Sequence, residues 1–145
     1  MTLDWQPKRL RINWRRLRTV SGQVARASDG SWYVAWKAED GWSIGQTDDL
    51  AEPIQVQPVH WRLPERSDTE LIASAWAVGL EHRLVKRHLG YDVFTDDEEG
   101  LGPVSWKCRT CDVGGVNEPN ARIAAARARG HWRHELGVAI DLASR

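Results

Sequence analysis

The chain has only two cysteines, Cys108 and Cys111. They stand three apart, and His131 and His134 follow after 19 intervening residues. A Cys-x2-Cys pair on a tight turn presents two converging thiolates, and imidazoles at i and i+3 share one helix face. Thiolates on a turn facing imidazoles on a helix are the donor set that tetrahedral Zn²⁺ takes. This pattern constrains the fold more than any other feature, because it demands a turn folded back onto a helix. Gly114-Gly115 supplies the reversal between them. Two other readings of the thiols stay open on the residues alone. A redox pair would need a helix starting at the first cysteine in a βαβ setting, and two unrelated thiols need nothing. Glu135, four residues after His131, is an alternative fourth ligand to His134.

The string Trp106-Lys107-Cys108-Arg109-Thr110-Cys111, then Ala124, then His131-Trp132-Arg133-His134, resembles the Cys2His2 zinc-finger pattern. It is similar to the single-finger modules of small proteins of actinobacteria, their phages and mobile elements. The resemblance covers residues 106–135. It implies Zn²⁺ as cofactor, with Cys108, Cys111, His131 and His134 as ligands. The gap before the first histidine is longer than the usual ~12–15 residues, and the His pair is one residue closer than usual.

Upstream, the punctuation is that of an antiparallel sheet. Ser28-Asp29-Gly30 and Glu39-Asp40-Gly41 are hairpin-turn signals, since Asp-Gly tolerates the positive φ of tight turns. Between them Trp32, Val34 and Trp36 alternate with Tyr33, Ala35 and Lys37, the period of a strand. Runs 22–27 and 42–47 complete a three-stranded meander, and 54–57 adds a further strand. Residues 1–19, with apolar Leu10, Ile12, Trp14 and Leu17, fit a strand or a helix equally well. Ser67-Asp68-Thr69-Glu70 reads as a capping box. It opens an amphipathic helix through Leu71, Ile72, Ala75, Val78, Leu84 and Leu89, which Gly90 stops. A second helix, capped by Asn117 or Asn120, runs to about Leu142 across Gly130. The expected class is α+β: a small Trp-rich antiparallel meander, an amphipathic helix and a C-terminal zinc-finger-like module with a long helix. The segments expected are a basic stretch 1–19, meander plus helix 20–91, an acidic linker 92–105 and the module 106–145.

Lys plus Arg and Asp plus Glu are 20 each, so the net charge is zero, yet the charges are segregated. Lys8, Arg9, Arg11, Arg15, Arg16 and Arg18 form one basic run, and Arg122, Arg127, Arg129 and Arg133 form another. Acids gather at Glu39–Glu52 and at Asp92–Glu99. Both basic runs are candidate phosphate contacts, with no base-reading array evident. Of nine tryptophans, Trp32, Trp36 and Trp76 are expected in the core and Trp106 and Trp132 over the metal, with Trp5, Trp14 and Trp42 exposed. His60, His82 and His88 are read as ordinary surface histidines, because His82 and His88 are six apart on one expected helix.

An enzyme is not expected. The chain has no phosphate loop or nucleophile elbow, and four protein ligands leave a zinc ion no open position. The start carries an early acid and no apolar h-region, and no apolar run approaches a membrane span. The expectation is a cytoplasmic, zinc-stabilised, non-enzymatic nucleic-acid binder, with DNA the expected partner, of regulatory, phage or mobile-element type, with no membrane and no small-molecule substrate. The alternative is a zinc-stabilised protein-interaction module, an inhibitor or adaptor with a DNA-mimicking acidic surface. A continuous basic face favours the first reading, and bases scattered among acids favour the second.

Overall fold

The computed structural model describes residues 3–39, 41–95, 97, 99, 100 and 102–145, with backbone alone at 58–61. Asp40, Asp96 and Glu98 of the acidic runs, and the side chains of His60 and Trp61, therefore lie outside the described residues. The chain is α+β and divides into two compact units, Met1–Val78 and Gly79–Arg145.

In the first unit, β1 (Gln6–Trp14) and β2 (Arg16–Arg26) form a long hairpin that turns at Arg15. The basic stretch that the sequence left between strand and helix is thus mostly strand. β3 (Trp32–Ala38) and β4 (Gly41–Thr47) extend the antiparallel meander. β5 (Ile54–Gln55) pairs parallel with β1, while β6 (Gln57–Leu63) pairs antiparallel with β4. The two edge strands of this six-stranded sheet are therefore consecutive stretches of one segment, parted by Val56 alone. The sheet must curl for its edges to meet there. Its concave side buries Leu10, Ile12, Val24, Val34, Trp36, Ile54 and Val56, with Trp14, Val20, Trp32 and Leu50 packed around them. Trp14, expected to be exposed, instead meets Trp36 edge to face with ring centroids 6.2 Å apart. The opposite face carries Tyr33, whose ring lies 5.9 Å from that of Trp76 on α1 (Arg66–Ala77).

The expected capping box does not form. α1 starts at Arg66, so Ser67 sits inside the first turn, where its hydroxyl donates to Glu65 Oε2 at 3.2 Å. Glu70 pairs instead with Arg66, one turn back, at 3.2 Å. Nor does one helix run from 67 to 89. Gly79, at φ 83°, takes the left-handed conformation that ends α1 after Val78 and that only glycine adopts without cost.

The second unit contains α2 (His82–Lys86), a three-stranded antiparallel sheet of β7 (Tyr91–Thr95), β8 (Val104–Cys108) and β9 (Gly114–Glu118), and α3 (Ala121–Ala143). Much of the expected acidic linker is strand, pinned where Asp92 accepts from Arg109 Nε at 2.9 Å. Asn120 caps α3, its side chain accepting from the N–H of Ile123 at 2.9 Å. One stripe of α3, Ala124, Ala128, Trp132 and Leu136, is buried at four-residue steps. Its two alanines are small enough to let the helix lie against Trp106.

Candidate metal centre

Three separate pieces of the second unit converge on one point. Cys108 ends β8 and Cys111 follows on the turn, which is closed by the Cys108 N–H donating to the Val113 carbonyl at 2.9 Å. Thr110 N–H points back at Cys108 Sγ, 3.4 Å away. Gly115 lets β9 pass close over Trp106, since a Cβ there would stand 2.4 Å from the indole Nε1. His131 comes from the middle of α3. The fourth group is His88, in the connection between α2 and β7, with φ 68°. Its N–H donates to Thr110 Oγ1 at 3.2 Å, and Arg109 N–H donates to the Gly90 carbonyl at 3.1 Å. The connection is thereby laced onto the cysteine turn.

His88 Nδ1 lies 3.3 Å from Cys108 Sγ, 3.6 Å from Cys111 Sγ and 3.3 Å from His131 Nε2. Cys111 Sγ is 3.4 Å from His131 Nε2. All four donor atoms lie within 4.8 Å of one another, close enough to hold one metal ion. Bond lengths of about 2.3 Å to sulfur and 2.0–2.1 Å to nitrogen give a tetrahedron with edges of about 3.4 Å between nitrogens and about 3.5 Å from nitrogen to sulfur. The separations found match that figure.

The electrostatics favour the same protonation states. Burial pushes the Cys108 thiol up, but hydrogen bonds from the N–H groups of Cys111 and Thr110 outweigh it and hold the thiol below its ordinary value. Burial, and then the neighbouring His131, push His88 below the usual imidazole value against the opposing charge of Glu135. A thiolate and a neutral imidazole are the forms that ligate a metal.

Cys108, Cys111 and His131 are brought together as the spacing expected, whereas His134 is exposed and outside the group. Its place is taken by His88. His134, three residues on, is a neighbour of His131 on the helix surface, but its side chain is exposed and it is His131 that meets the cysteine turn. Glu135 is likewise outside the group, although its charge acts on His88. By spacing alone His88 shares a helix with His82 and belongs to the surface. The glycine at 79 and the short α2 that ends at Lys86 are what remove it from any helix. Trp106 packs 6.0 Å from the His131 ring. Trp132 faces inward and donates from Nε1 to the Val85 carbonyl at 2.9 Å, tying α3 to α2.

The two basic runs behave differently. Along the β1–β2 hairpin, which contains no acid, register places Arg9 and Arg11 on one face and Arg16 and Arg18 on the other, with Arg15 at the tip. Arg15 and Arg18 lie over the Trp14 ring at 4.7 and 5.9 Å. Among the described residues none of these five arginines is in an ion pair. On α3, Arg127 is bound to Glu118 at 2.6 Å and Arg129 lies 5.9 Å from the Tyr91 ring, whereas Arg122 is exposed and Arg133 half-buried. No helix among the described residues is long and apolar enough to cross a membrane.

No family model matches this sequence, and no curated protein or solved structure matches it significantly.

Proposed function

We propose that this chain is a non-enzymatic, zinc-stabilised protein that binds nucleic acid through phosphate contacts. The observation that carries the zinc is the convergence of four protein donors at tetrahedral spacing. Sulfur and imidazole donors suit Zn²⁺. Four protein ligands close the shell, so the ion's work is structural. Held by His88, Cys108, Cys111 and His131, it would lock the α2–β7 connection, the cysteine turn and α3 to one another. The finger-like module would then depart from the Cys2His2 pattern in drawing one histidine from upstream of the cysteines.

The nucleic-acid half of the reading rests on the β1–β2 hairpin, a ribbon with arginines on both faces and no acid of its own. Such a ribbon meets phosphates on either side without reading bases. The α3 set contributes less, because Arg127 and Arg129 are already engaged. A cytoplasmic location and a phage, mobile-element or regulatory setting belong to the same proposal.

Elemental analysis of protein purified without added metal is expected to give about one zinc per chain. Binding to mixed-sequence DNA, followed across a salt series, is expected to weaken steeply as salt rises. Metal-free protein that is fully folded overturns the first half, and absent or salt-independent binding overturns the second. A second reading, a protein-interaction module, draws on one feature. Leu84, Val138 and Leu142 are 39, 42 and 62% exposed and line a hollow of about 210 Å³ beside His88. Exposed apolar patches of this kind mark interaction sites.

A further inference from the structure

β2 and β3 do not stay together along their whole length. They pair from Gly22↔Trp36 to Arg26↔Trp32. Beyond Gly22, towards the hairpin tip, β2 continues to Arg16 paired only with β1, and β3 continues to Ala38 paired only with β4. The strands splay into a fork that opens a cleft of about 780 Å³, lined by Arg16, Arg18, Thr19, Val20, Ser21, Lys37, Ala38 and Glu39. Among the described residues, the backbone edges of both strands border this cleft with no ladder partner across it.

The chemistry of the fork is cationic. Arg16, Arg18 and Lys37 line it against the single described acid Glu39, and among the described residues none of the three is ion-paired. Arg18 carries a further mark: its Nε is buried yet has no hydrogen-bond partner among the described residues. A buried guanidinium N–H without an acceptor is costly and calls for explanation. Its neighbour Trp14 offers a ring face 5.9 Å away, which orients the guanidinium but accepts little. An incoming anionic oxygen would answer the charge that the guanidinium brings to the cleft.

We propose that the β2–β3 fork is a phosphate-binding cleft that seats the sugar-phosphate backbone of a nucleic acid, with Arg18 and Lys37 as its two principal contacts. This deepens the nucleic-acid reading above and rests on it. A phosphodiester presents two unesterified oxygens, which can accept from guanidinium, ammonium and free backbone N–H groups together. Thr19 and Ser21 supply hydroxyls on the same rim. A polyanionic strand fits an open, elongated fork better than a compact ligand does, because the bases of the hairpin tip continue the same charge.

The test uses the full chain, loaded with metal, and fluorescence anisotropy of labelled mixed-sequence duplex and single-stranded DNA over a salt series. The R18Q/K37Q variant is expected to bind duplex about tenfold or more weakly at low salt. The slope of log affinity against log salt should flatten by about 1.8, two contacts at 0.9 each. R83Q/K86Q on α2, in the second unit, removes the same charge and is expected to stay within about twofold of the parent. Because Arg18 is partly buried, K37Q alone serves as a second variant, with an expected flattening of about 0.9. Far-UV circular dichroism checks that each variant is folded. If the parent binds DNA with steep salt dependence while R18Q/K37Q and K37Q bind equally well, the fork is wrong and the wider reading stands. If R83Q/K86Q loses as much as R18Q/K37Q, the binding is diffuse charge and the fork is again wrong. A parent that binds no DNA overturns the nucleic-acid reading itself. Should that parent bind polyglutamate and R18Q/K37Q not, the occupant is an acidic protein segment and the phosphate assignment falls.

Discussion

The two units stabilise themselves by different means. The first closes a curled sheet around seven buried apolar side chains, from Leu10 to Val56, and brings no metal-type cluster to its interior among the described residues. The second has far less to bury. Trp106, Ala124 and Ala128 form its sheet-to-helix core, with Tyr91 and Val104 half-buried beside them. Val85, Trp132 and Leu136 are buried as well, a small apolar set to hold a helix of 23 residues on three short strands. The Cys2His2 group stands where a larger core would otherwise be, and metal coordination in such modules contributes folding free energy directly. Small units with little core commonly use this solution.

Metal removal is the sharpest way to break the comparison. A strong chelator, or Cys108→Ser, is expected to unfold the second unit while the first keeps its structure, because free energies of about 10–16 kcal/mol are typical of structural zinc sites. Hydrogen exchange resolved by segment checks this: amides of α3 should lose protection and those of β2 and β3 should keep it. Loss of both units together would show that the metal supports the whole chain.

The ligand set comes next in size. His88→Ala is expected to weaken metal binding by more than about 100-fold, beyond what loss of an outer-shell partner costs. His134→Ala should leave metal content and affinity unchanged, since that side chain is exposed and outside the group. Competitive titration with a chromophoric chelator distinguishes the two variants. The reverse outcome would restore the ligand set read from the sequence.

How far the sequence foretold these two regions follows from the range of the forces involved. The meander was legible because Asp-Gly turns and the alternation of Trp32, Val34 and Trp36 act over a few residues. The cysteine turn and His131 were legible because a metal narrows the residue types that can serve it. The path of the chain between 64 and 95 was not. Ser67 and Glu70 have the spacing of a capping box, but the helix that buries Ile72, Ala73 and Ala75 begins two residues earlier, with Glu65 at its N-cap, and the box has no role left. The left-handed Gly79 decides where α1 ends, and nothing nearby distinguishes it from a glycine tolerated inside a helix. A helix that continues through Gly79 leaves His88 on its surface and the i, i+3 pair on α3 as a complete set. The parallel pairing of β5 with β1 joins Ile12 to Ile54, a contact no local pattern encodes.

Changing the larger core should have the converse effect. Leu10→Ala removes a fully buried side chain from the sheet's concave side and is expected to destabilise the first unit by about 2–5 kcal/mol. The variant should still hold one zinc with parental affinity. Denaturant unfolding, read beside metal content, tests this. Zinc release at the same midpoint as loss of the sheet would mean that the two units fold as one.

The smallest effect separates the metal from the helix start as the organiser of the second unit. Asn120 accepts from the Ile123 N–H and is the side-chain cap at the N-terminus of α3. Asn120→Ala should cost about 1 kcal/mol, and Asn120→Ser should recover most of it. With zinc bound, α3 is fixed at His131 in its middle and by Trp132 to the Val85 carbonyl. Fraying of the first turn is then all the substitution can cause, and zinc affinity should change by less than about tenfold, the factor that 1.4 kcal/mol commands. A larger loss of affinity in Asn120→Ala, reversed in Asn120→Ser, would place the origin of the site's geometry at the helix start. The ion would then report a helix already set, and the difference drawn between the two units would narrow to one of core size alone.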